Sequence, residues 1–345
     1  MPQTSREVVR RAVHFEGPDR LPVIFDALGV TDCTWLPWNQ IGTGDRKFRE
    51  TVDEWGCTWC RSEVNNMGQA KGHPLADDAA WKTFAWPDGD DPKFYTGVAE
   101  RAAKVPDRAG WRSSTDAGAD SAPDRYCHTG VFMILFERMH TLAGFEKVLE
   151  GLYLDRARME ELADRIVDFD LKIIKNMGRL GKGRIDGFSF TEDWGTEQAL
   201  FISPALWDDF FKPRYRKIFD ACHAQGWDVW MHSCGKVNAI IGGLIDVGLN
   251  VINLQQPRAL GIEEVGRKFA GRICFQSLCD IQATLPFKSH EEIRAEAKLL
   301  LEKWGTAKGG FILSDYGDGA AIGVPDATKK VMFDAFMEYD RWRVR

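Results

Sequence analysis

The second half of the chain alternates between short apolar segments and longer segments with a helical period. From about residue 145 onward, the short segments predict buried strands and the longer ones predict the helices between them. The predicted strands are 185–190, 228–232, 251–254, 273–278 and 310–313. The predicted helices are 145–153, 156–177, 204–224, 237–247, 262–269, 290–304 and 326–339. Strict alternation of this kind is typical of a parallel sheet covered by helices on both faces.

The first 145 residues show a weaker pattern. An amphipathic segment at 6–15, capped by Thr4 or Ser5, predicts a first helix, and 21–25 predicts a strand that ends before Asp26. Residues 75–125 are rich in proline and glycine in places, and we expect them to form a variable excursion from the domain.

The alternation fits either a closed barrel or an open doubly wound sheet. An open nucleotide-binding sheet would carry a glycine-rich phosphate loop after a strand, and no such loop follows a predicted strand here. The sequence therefore favours one α/β domain over residues 1–345, a (β/α)8 TIM-type barrel.

Composition narrows the functional classes. The net charge of −6 gives no electrostatic reason to expect a nucleic-acid partner. No run of roughly 18 apolar residues predicts a membrane-spanning helix, and the first residues lack an apolar signal region, so we expect a cytoplasmic protein. Eight cysteines are too few for a disulfide scaffold, and the pair Cys57 and Cys60 is interpreted as two buried thiols.

One predicted strand ends in a histidine and a cysteine two residues apart. His232 and Cys234 lie on the same side of an extended chain, and Gly235 allows a turn directly after them. Imidazole and thiolate are good zinc ligands, and a catalytic zinc site needs about three protein ligands and an open position. A buried pair without a metal is the alternative.

Polar residues follow the other predicted strands as well. In a parallel barrel these strand ends meet at one face, where catalytic groups lie. The polar residues at the strand ends are Asp26, Glu192, Asp193, Gln255, Gln256, Asp280, Asp315 and Asp318. The candidates for a third metal ligand are Asp318, Asp315 and Glu192.

Several motifs resemble the uroporphyrinogen decarboxylase superfamily over nearly the whole chain. They lie at 17–22, 136–138, 191–196, 202–204, 211–213, 232–235, 244–248 and 253–257. The resemblance implies a single (β/α)8-type barrel. It also implies one of two activities, because the superfamily contains metal-free decarboxylases and cobalamin-dependent methyltransferases.

The decarboxylases carry an Arg-Gln-Ala-Gly-Arg-Tyr segment soon after the first strand, and its arginines hold the substrate acids. This chain has Asp-Ala-Leu-Gly-Val at 26–30 instead. A highly acidic tetrapyrrole needs several cationic anchors, so we expect no porphyrinogen decarboxylation.

The methyltransferase branch is the better match. In that branch zinc is held by His-x-Cys and a later cysteine; His232 and Cys234 match the first two positions, and the third falls within 314–319, which has no cysteine. Asp318 is the first expected substitute and Asp315 the second. The resemblance thus implies a zinc-dependent methyltransferase that moves a methyl group between a corrinoid and a thiol, methoxy or methylamine compound.

Further roles follow from the resemblance. We expect the corrinoid to be carried by a partner protein, and a homodimer is an open alternative to a monomer. We assign expected roles to residues at the strand ends and in the first half of the chain. They are Glu192, Asp193 and Asp26 as catalytic residues, Gln255, Gln256 and Asp280 for the cofactor, and Asn65, Asn66, Glu137 and Arg138 for the substrate.

The sequence also leaves purely structural roles for some of these residues, and other functions for the chain, open. Asp26 is also a candidate helix cap, and Glu137 with Arg138 a candidate structural ion pair. The alternative functions are a metal-free decarboxylase or lyase on a smaller acid, using Asp26 or Asp193, and an inactive corrinoid-binding accessory protein.

Overall fold

The computed structural model describes residues 2–40, 49–61, 68–105 and 124–342. In these ranges the main sheet has nine strands, and eight of them run parallel in a nearly closed ring, which confirms the TIM-type α/β barrel. The parallel strands are β1 (Val23–Phe25), β2 (Cys33–Trp35), β3 (Tyr126–Gly130), β4 (Gly187–Thr191), β5 (Asp228–His232), β6 (Val251–Leu254), β7 (Cys274–Ser277) and β8 (Phe311–Ser314). The ninth, Val30–Thr31, pairs antiparallel with β1.

Asp32 connects the two ends of the ring. Its amide donates to the Val23 carbonyl at 2.8 Å, and its carboxylate accepts from the Val23 amide at 2.9 Å. Its own carbonyl accepts from the amide of Tyr126, the first residue of β3, at 3.0 Å. A single buried aspartate therefore joins β1 to the edge formed by β2 and β3.

Helices follow most of the barrel strands. The described α-helices are α1 (Ser5–Val13), α2 (Val98–Ala103), α3 (Phe136–Ala143), α4 (Phe145–Leu154), α5 (Arg156–Gly181), α6 (Pro204–Leu206), α7 (Lys212–Ala224), α8 (Asn238–Asp246), α9 (Pro257–Leu260), α10 (Ile262–Phe269), α11 (His290–Lys303) and α12 (Asp326–Glu338). No described helix has both the length and the apolar composition that crossing a bilayer requires.

The helix predicted at 204–224 contains a π-helical turn. The turn spans Trp207–Phe211, between α6 and α7, and Pro213 lies in the first turn of α7. Proline has no amide hydrogen and cannot donate to the residue four positions earlier, so a locally wider turn lets the helix continue through this point.

The first 145 residues contain structure that the sequence pattern did not predict. It includes β2, β3, α3 and a three-stranded antiparallel sheet. The small sheet consists of Glu50–Val52, Thr58–Cys60 and Gln69–Gly72, and short 3-10 helices span Asp26–Leu28, Ala80–Lys82 and Pro92–Tyr95. A further 3-10 helix, Gly319–Ile322, follows β8. The expected excursion at 75–125 is in part a core element, because the side chains of Leu75, Phe94 and Val98 are buried.

Helix α1 lies against the amino-terminal ends of two central strands. Arg6 pairs with Asp186, which directly precedes β4, at 3.0 Å, and His14 pairs with Asp228, the first residue of β5, at 3.0 Å. The opposite end of the barrel, where β4 and β5 finish, stays accessible.

Candidate metal centre and active-site cavity

Three potential metal ligands converge where β4 and β5 end. His232 is the last residue of β5, Cys234 lies two residues later, and Asp193 lies two residues beyond the end of β4. The distance from Cys234 Sγ to His232 Nε2 is 3.3 Å, and that from His232 Nε2 to Asp193 Oδ1 is 3.7 Å. One donor atom from each residue lies within 4.8 Å of the other two, and all three residues are half-buried. The carboxyl ends of adjacent parallel strands thus bring nitrogen, sulfur and oxygen donors together.

Asn253 on β6 fixes the tautomer of His232. Its side-chain oxygen lies 2.6 Å from His232 Nδ1, and its amide nitrogen donates to the Gln276 carbonyl at 3.0 Å. The second hydrogen bond determines which end of the amide is oxygen. Nδ1 therefore carries the proton, and the lone pair of Nε2 is directed at Cys234 and Asp193, as metal-binding histidines require.

A close approach of two glycines brings the ligand-bearing loops together. Gly235 has φ +86°, and a Cβ atom at this position would lie 2.2 Å from the Gly195 carbonyl oxygen. The Cys234 amide donates to Asp193 Oδ1 at 2.7 Å. The Gly235 amide donates to the Gln256 side-chain oxygen, also at 2.7 Å. Only glycine fits this conformation and contact, and it allows Asp193 to lie beside Cys234.

The Cys234 thiol is electrostatically disfavoured as a thiolate. Burial, followed by the charges of Asp193 and Glu137, raises its pKa far above the ordinary value. A bound divalent cation would reverse this balance, because a coordinating thiol is deprotonated by the metal's own charge. The local acidity therefore suits a cation at this position.

Glu192 and Glu137 lie behind the metal-ligand group. Glu192 is fully buried and accepts the amides of Leu135 at 2.8 Å, Glu137 at 3.2 Å and Phe136, so it caps the amino terminus of α3. Burial raises its pKa to about 8. Glu137 accepts from the Thr191 hydroxyl at 2.7 Å, and burial followed by the charges of Asp193 and Glu192 raises its pKa. The two buried carboxyl groups thus connect the end of β4, which precedes Asp193, to helix α3.

A cavity of about 520 Å³ opens beside His232 in the mouth of the barrel. Its lining includes Asp26 and Asn253, together with aromatic side chains that the sequence analysis did not single out. These aromatic residues are Trp35, His128, Phe132, Phe190 and Trp230. A ligand in this cavity would contact His232 on one side and aromatic rings on the other.

His128 is a neutral residue in the wall of the cavity. Burial lowers its pKa to about 3. Its Nδ1 lies 2.8 Å from the Ser189 hydroxyl, and its ring meets the Trp230 ring edge to face at a centroid distance of 4.5 Å. The absence of a hydrophobic run in β3 explains why sequence reasoning missed it.

The third-ligand expectations require correction. Asp318 is not part of the described group of donors within 4.8 Å; it precedes the 3-10 helix Gly319–Ile322. Asp315 forms a buried ion pair with Lys329 at 3.1 Å, and Glu192 is occupied by backbone amides. Asp193 is the carboxylate that lies beside His232 and Cys234, because its strand is adjacent to β5.

The expected role of Arg138 in substrate binding also requires correction. Its guanidinium pairs with Asp53 at 2.7 Å, with both side chains buried, and it does not pair with its neighbour Glu137. It therefore belongs to the protein interior and not to the described lining of the cavity. Asn65 and Asn66 lie outside the described residues.

The residues assigned to cofactor binding have contacts within the protein. Gln256 holds Gly235, and Asp280 accepts the amides of Gln282 at 2.9 Å and Ala283 at 2.8 Å. The Gln255 carbonyl accepts from the Ile281 amide at 3.2 Å. These contacts shape the loops after β6 and β7. A role in cofactor binding stays a prediction.

The family match and one solved structure agree with this architecture. The family model of uroporphyrinogen decarboxylase (URO-D) matches residues 129–339. A methyltransferase from Methanosarcina mazei superposes with a TM-score of 0.69 at 16% identity, covering 97% of this chain and 99% of that chain, and so has the same fold. Xylanase 10B from Thermotoga maritima superposes with a TM-score of 0.35 at 12% identity, covering 62% and 76%. No curated protein sequence matches the chain.

Proposed function

We propose a methyltransferase function for this chain, which belongs to the uroporphyrinogen decarboxylase family. The proposed enzyme depends on zinc and moves a methyl group between a corrinoid and a small substrate, such as a thiol or a methoxy or methylamine donor. The observation that carries the proposal is the convergence of Asp193, His232 and Cys234 beside the cavity. The fold that the chain shares with the Methanosarcina mazei methyltransferase supports it.

The donor set fits zinc. A nitrogen, a sulfur and an oxygen from Asp193, His232 and Cys234 match the ligands of catalytic zinc sites, which keep a further position for water or substrate. Zinc, when bound, supplies a Lewis acid that holds a substrate thiol as thiolate or stabilises a leaving oxygen. Asn253 already holds His232 in the required tautomer.

The chain's own residues have distinct roles in this proposal. Asp193, oriented by the Cys234 amide, completes the ligand set in place of the family's later cysteine. Glu137 is buried beside Asp193, and burial followed by the charges of Asp193 and Glu192 raises its pKa, which favours the protonated carboxyl close to the site. The cavity binds the substrate and excludes bulk water from one side of His232.

Porphyrinogen decarboxylation is disfavoured by the charges around the cavity. Among the described lining residues Asp26 has a charged side chain, whereas no lysine or arginine is present. Among these described residues a substrate with several carboxylates would meet a carboxylate and no cation to compensate its desolvation. The same argument disfavours a small anionic substrate for a metal-free lyase.

Zinc content tests the ligand assignment. We expect about one zinc per chain in the wild type and in Asp318→Ala, and strongly reduced zinc in Asp193→Ala, His232→Ala and Cys234→Ala, measured by elemental analysis. Asp318→Ala is the control because it also removes a carboxylate, and Asp318 lies outside the donor group. Near-zero zinc in all five proteins would refute the metal site. Loss of zinc in Asp318→Ala together with retained zinc in Asp193→Ala would instead restore the family-like ligand set.

Methyl transfer needs a separate assay. Methylcobalamin is mixed with the zinc-loaded enzyme and thiols, and demethylation is followed by absorbance. We expect turnover with the wild type and none with Cys234→Ala. An enzyme that retains zinc, transfers no methyl group in either direction and still binds a corrinoid protein would instead be the accessory protein considered above.

A further inference from the structure

The cavity beside His232 ends at a floor that contains a hydrogen-bonded pair of polar side chains. We define the floor as His128, Ser189 and Trp230, which line the cavity from β3, β4 and β5. Buried side chains that pack with Trp230 fill the barrel interior beneath it. They include Tyr126, Val251, Cys274 and Ile312. A ligand that enters past His232 therefore stops at the floor.

The floor lies one layer of side chains below the metal-ligand group. Trp230 and His232 are two residues apart on β5 and both line the cavity, and a strand rises roughly 3.3 Å per residue. The His128 ring meets the Trp230 ring at a centroid distance of 4.5 Å, so it lies at the depth of Trp230. A ligand bound beside His232 therefore reaches the floor when it extends about 7 Å along the strand.

His128 uses one of its two ring nitrogens within the protein. Its Nδ1 lies 2.8 Å from the Ser189 hydroxyl. In the part of the chain that the structure describes, no residue forms a hydrogen bond with its Nε2. The residue is 6% exposed, and a buried polar atom without a partner is costly. Because His128 lines the cavity, a molecule inside the cavity can supply the partner that the protein does not.

The His128 ring is neutral and offers a single proton. Burial lowers its pKa to about 3, against the opposing charge of Asp228. When the Ser189 hydroxyl donates to Nδ1, the N–H of the neutral ring lies on Nε2. A neutral histidine with a lowered pKa is known to donate a hydrogen bond to a substrate oxygen in other enzymes. The pair therefore places a hydrogen-bond donor at the floor.

We infer that His128 is a specificity-determining residue that donates a hydrogen bond from Nε2 to the end of the substrate remote from the metal centre, and that Ser189 is its positioning residue. This inference rests on the proposed function, in which the reacting end of the substrate lies beside Asp193, His232 and Cys234. The group that His128 recognises is an acceptor atom with a lone pair, such as an ether, carbonyl or hydroxyl oxygen.

Nitrogen-15 NMR of the purified, histidine-labelled protein tests the inference without turnover. The signals of His128 are assigned by their loss in His128→Gln. We expect them to show a proton on Nε2 and no titration between pH 5 and pH 9. Cyclohexanone and methylenecyclohexane are probes of the same shape with and without an acceptor oxygen. We expect cyclohexanone to shift the Nε2 signal and to bind roughly 3- to 10-fold more tightly than methylenecyclohexane.

Variants separate the hydrogen bond from packing. His128→Leu removes the donor, and the preference for cyclohexanone should disappear, whereas His128→Gln retains an amide donor and should keep part of it. Ser189→Ala removes the partner of Nδ1, so we expect a mixture of the two tautomers and a smaller preference; this variant keeps the test decisive if His128→Leu does not fold. His290→Leu replaces an exposed histidine at the start of α11 and should bind both probes like the wild type.

The methylcobalamin assay extends the test to turnover. Hexane-1-thiol and 4-methoxybutane-1-thiol have the same length, and the second has an oxygen in place of one methylene group. We expect the KM of the methoxy thiol to be roughly 3- to 10-fold lower than that of hexane-1-thiol, with a similar kcat. This difference in KM should disappear in His128→Leu and persist in His290→Leu.

Other outcomes overturn the inference. They are a proton on Nδ1 of His128, its titration between pH 5 and pH 9, an Nε2 signal that cyclohexanone does not shift, equal binding of the two ring probes, and an unchanged preference in His128→Leu. The failure of the proposed function gives a different result. A protein without zinc or turnover that still prefers cyclohexanone through His128 keeps the floor contact and loses the methyltransferase. Turnover with equal KM for the two thiols and no preference between the probes keeps the methyltransferase and loses the contact.

Discussion

The orientation and tautomer of His232 depend on one neighbouring amide. The Asn253 side-chain oxygen accepts a hydrogen bond from His232 Nδ1–H, and the Asn253 amide nitrogen donates to the Gln276 carbonyl. Without this acceptor the imidazole can rotate and exchange tautomers, so that Nε2 would point at Cys234 and Asp193 for only part of the time. Partners of this kind behind a metal ligand are typically worth a factor of 10 to 100 in affinity.

We therefore predict that Asn253→Ala weakens zinc binding by roughly 10- to 100-fold while leaving the fold intact. Competition with a chromophoric chelator measures the affinity, and far-ultraviolet circular dichroism measures the fold. Gln276→Ala is the control, because Gln276 holds Asn253 through its backbone carbonyl, which the substitution retains. An unchanged affinity in Asn253→Ala would show that the ring is fixed by other means.

The sequence alone predicted some residues of the site and missed others. His232 and Cys234 were identifiable because their spacing after an apolar strand is a local pattern. The position of Asp193 beside them was not identifiable, since it depends on the contact between Gly235 and Gly195 that brings two separate loops together. Trp35 and His128 gave no signal, because their strands lack an apolar run.

At the level of elements, prediction succeeded where the pattern was strong. The strands at 228–232 and 251–254 and the helix at 262–269 have the predicted bounds, because their apolar residues are contiguous or periodic. Strand β3 reads Tyr-Cys-His-Thr-Gly and is fully buried without being apolar. Helix α3 buries Glu137 and Arg138 through specific partners, which no periodicity reveals.

The contact between α1 and β5 should make stability depend on pH. A hydrogen bond to Asp228 raises the pKa of His14 above 6.5. The protonated pair is stabilising below the unfolded pKa, and this contribution is lost as the pH rises through the folded pKa. The His14 side chain is 40% exposed, so the contribution is screened and amounts to about 1 kcal/mol or less.

We predict that His14→Gln lowers the free energy of unfolding at pH 5.5 by up to about 1 kcal/mol and has a smaller effect at pH 9. Urea denaturation at the two pH values measures the difference. His290→Gln, at an exposed helix start, should show no such pH dependence. A larger effect at pH 9 than at pH 5.5 would contradict the assigned sign.

At the scale of the whole molecule, a buried ion pair attaches the small antiparallel sheet to the barrel. Asp53 follows the strand Glu50–Val52, accepts from the Trp59 indole at 3.0 Å, and pairs with Arg138 of α3. Helix α3 is in turn capped by Glu192, the residue before Asp193. The ion pair therefore lies in a continuous set of contacts from the small sheet to the metal centre.

Breaking this pair should cost far more than breaking a surface pair. Asp53→Asn leaves the Arg138 charge buried without its counter-ion, and we predict a loss of about 3–5 kcal/mol in the free energy of unfolding, measured by urea denaturation. Arg138→Met in the Asp53→Asn background removes the stranded charge and should recover much of the loss. Asp78→Asn, which removes the exposed carboxylate that pairs with Lys147 and Arg158, should cost far less than Asp53→Asn. Equal costs for Asp53→Asn and Asp78→Asn would mean that water reaches Arg138 and that the small sheet is attached by packing alone.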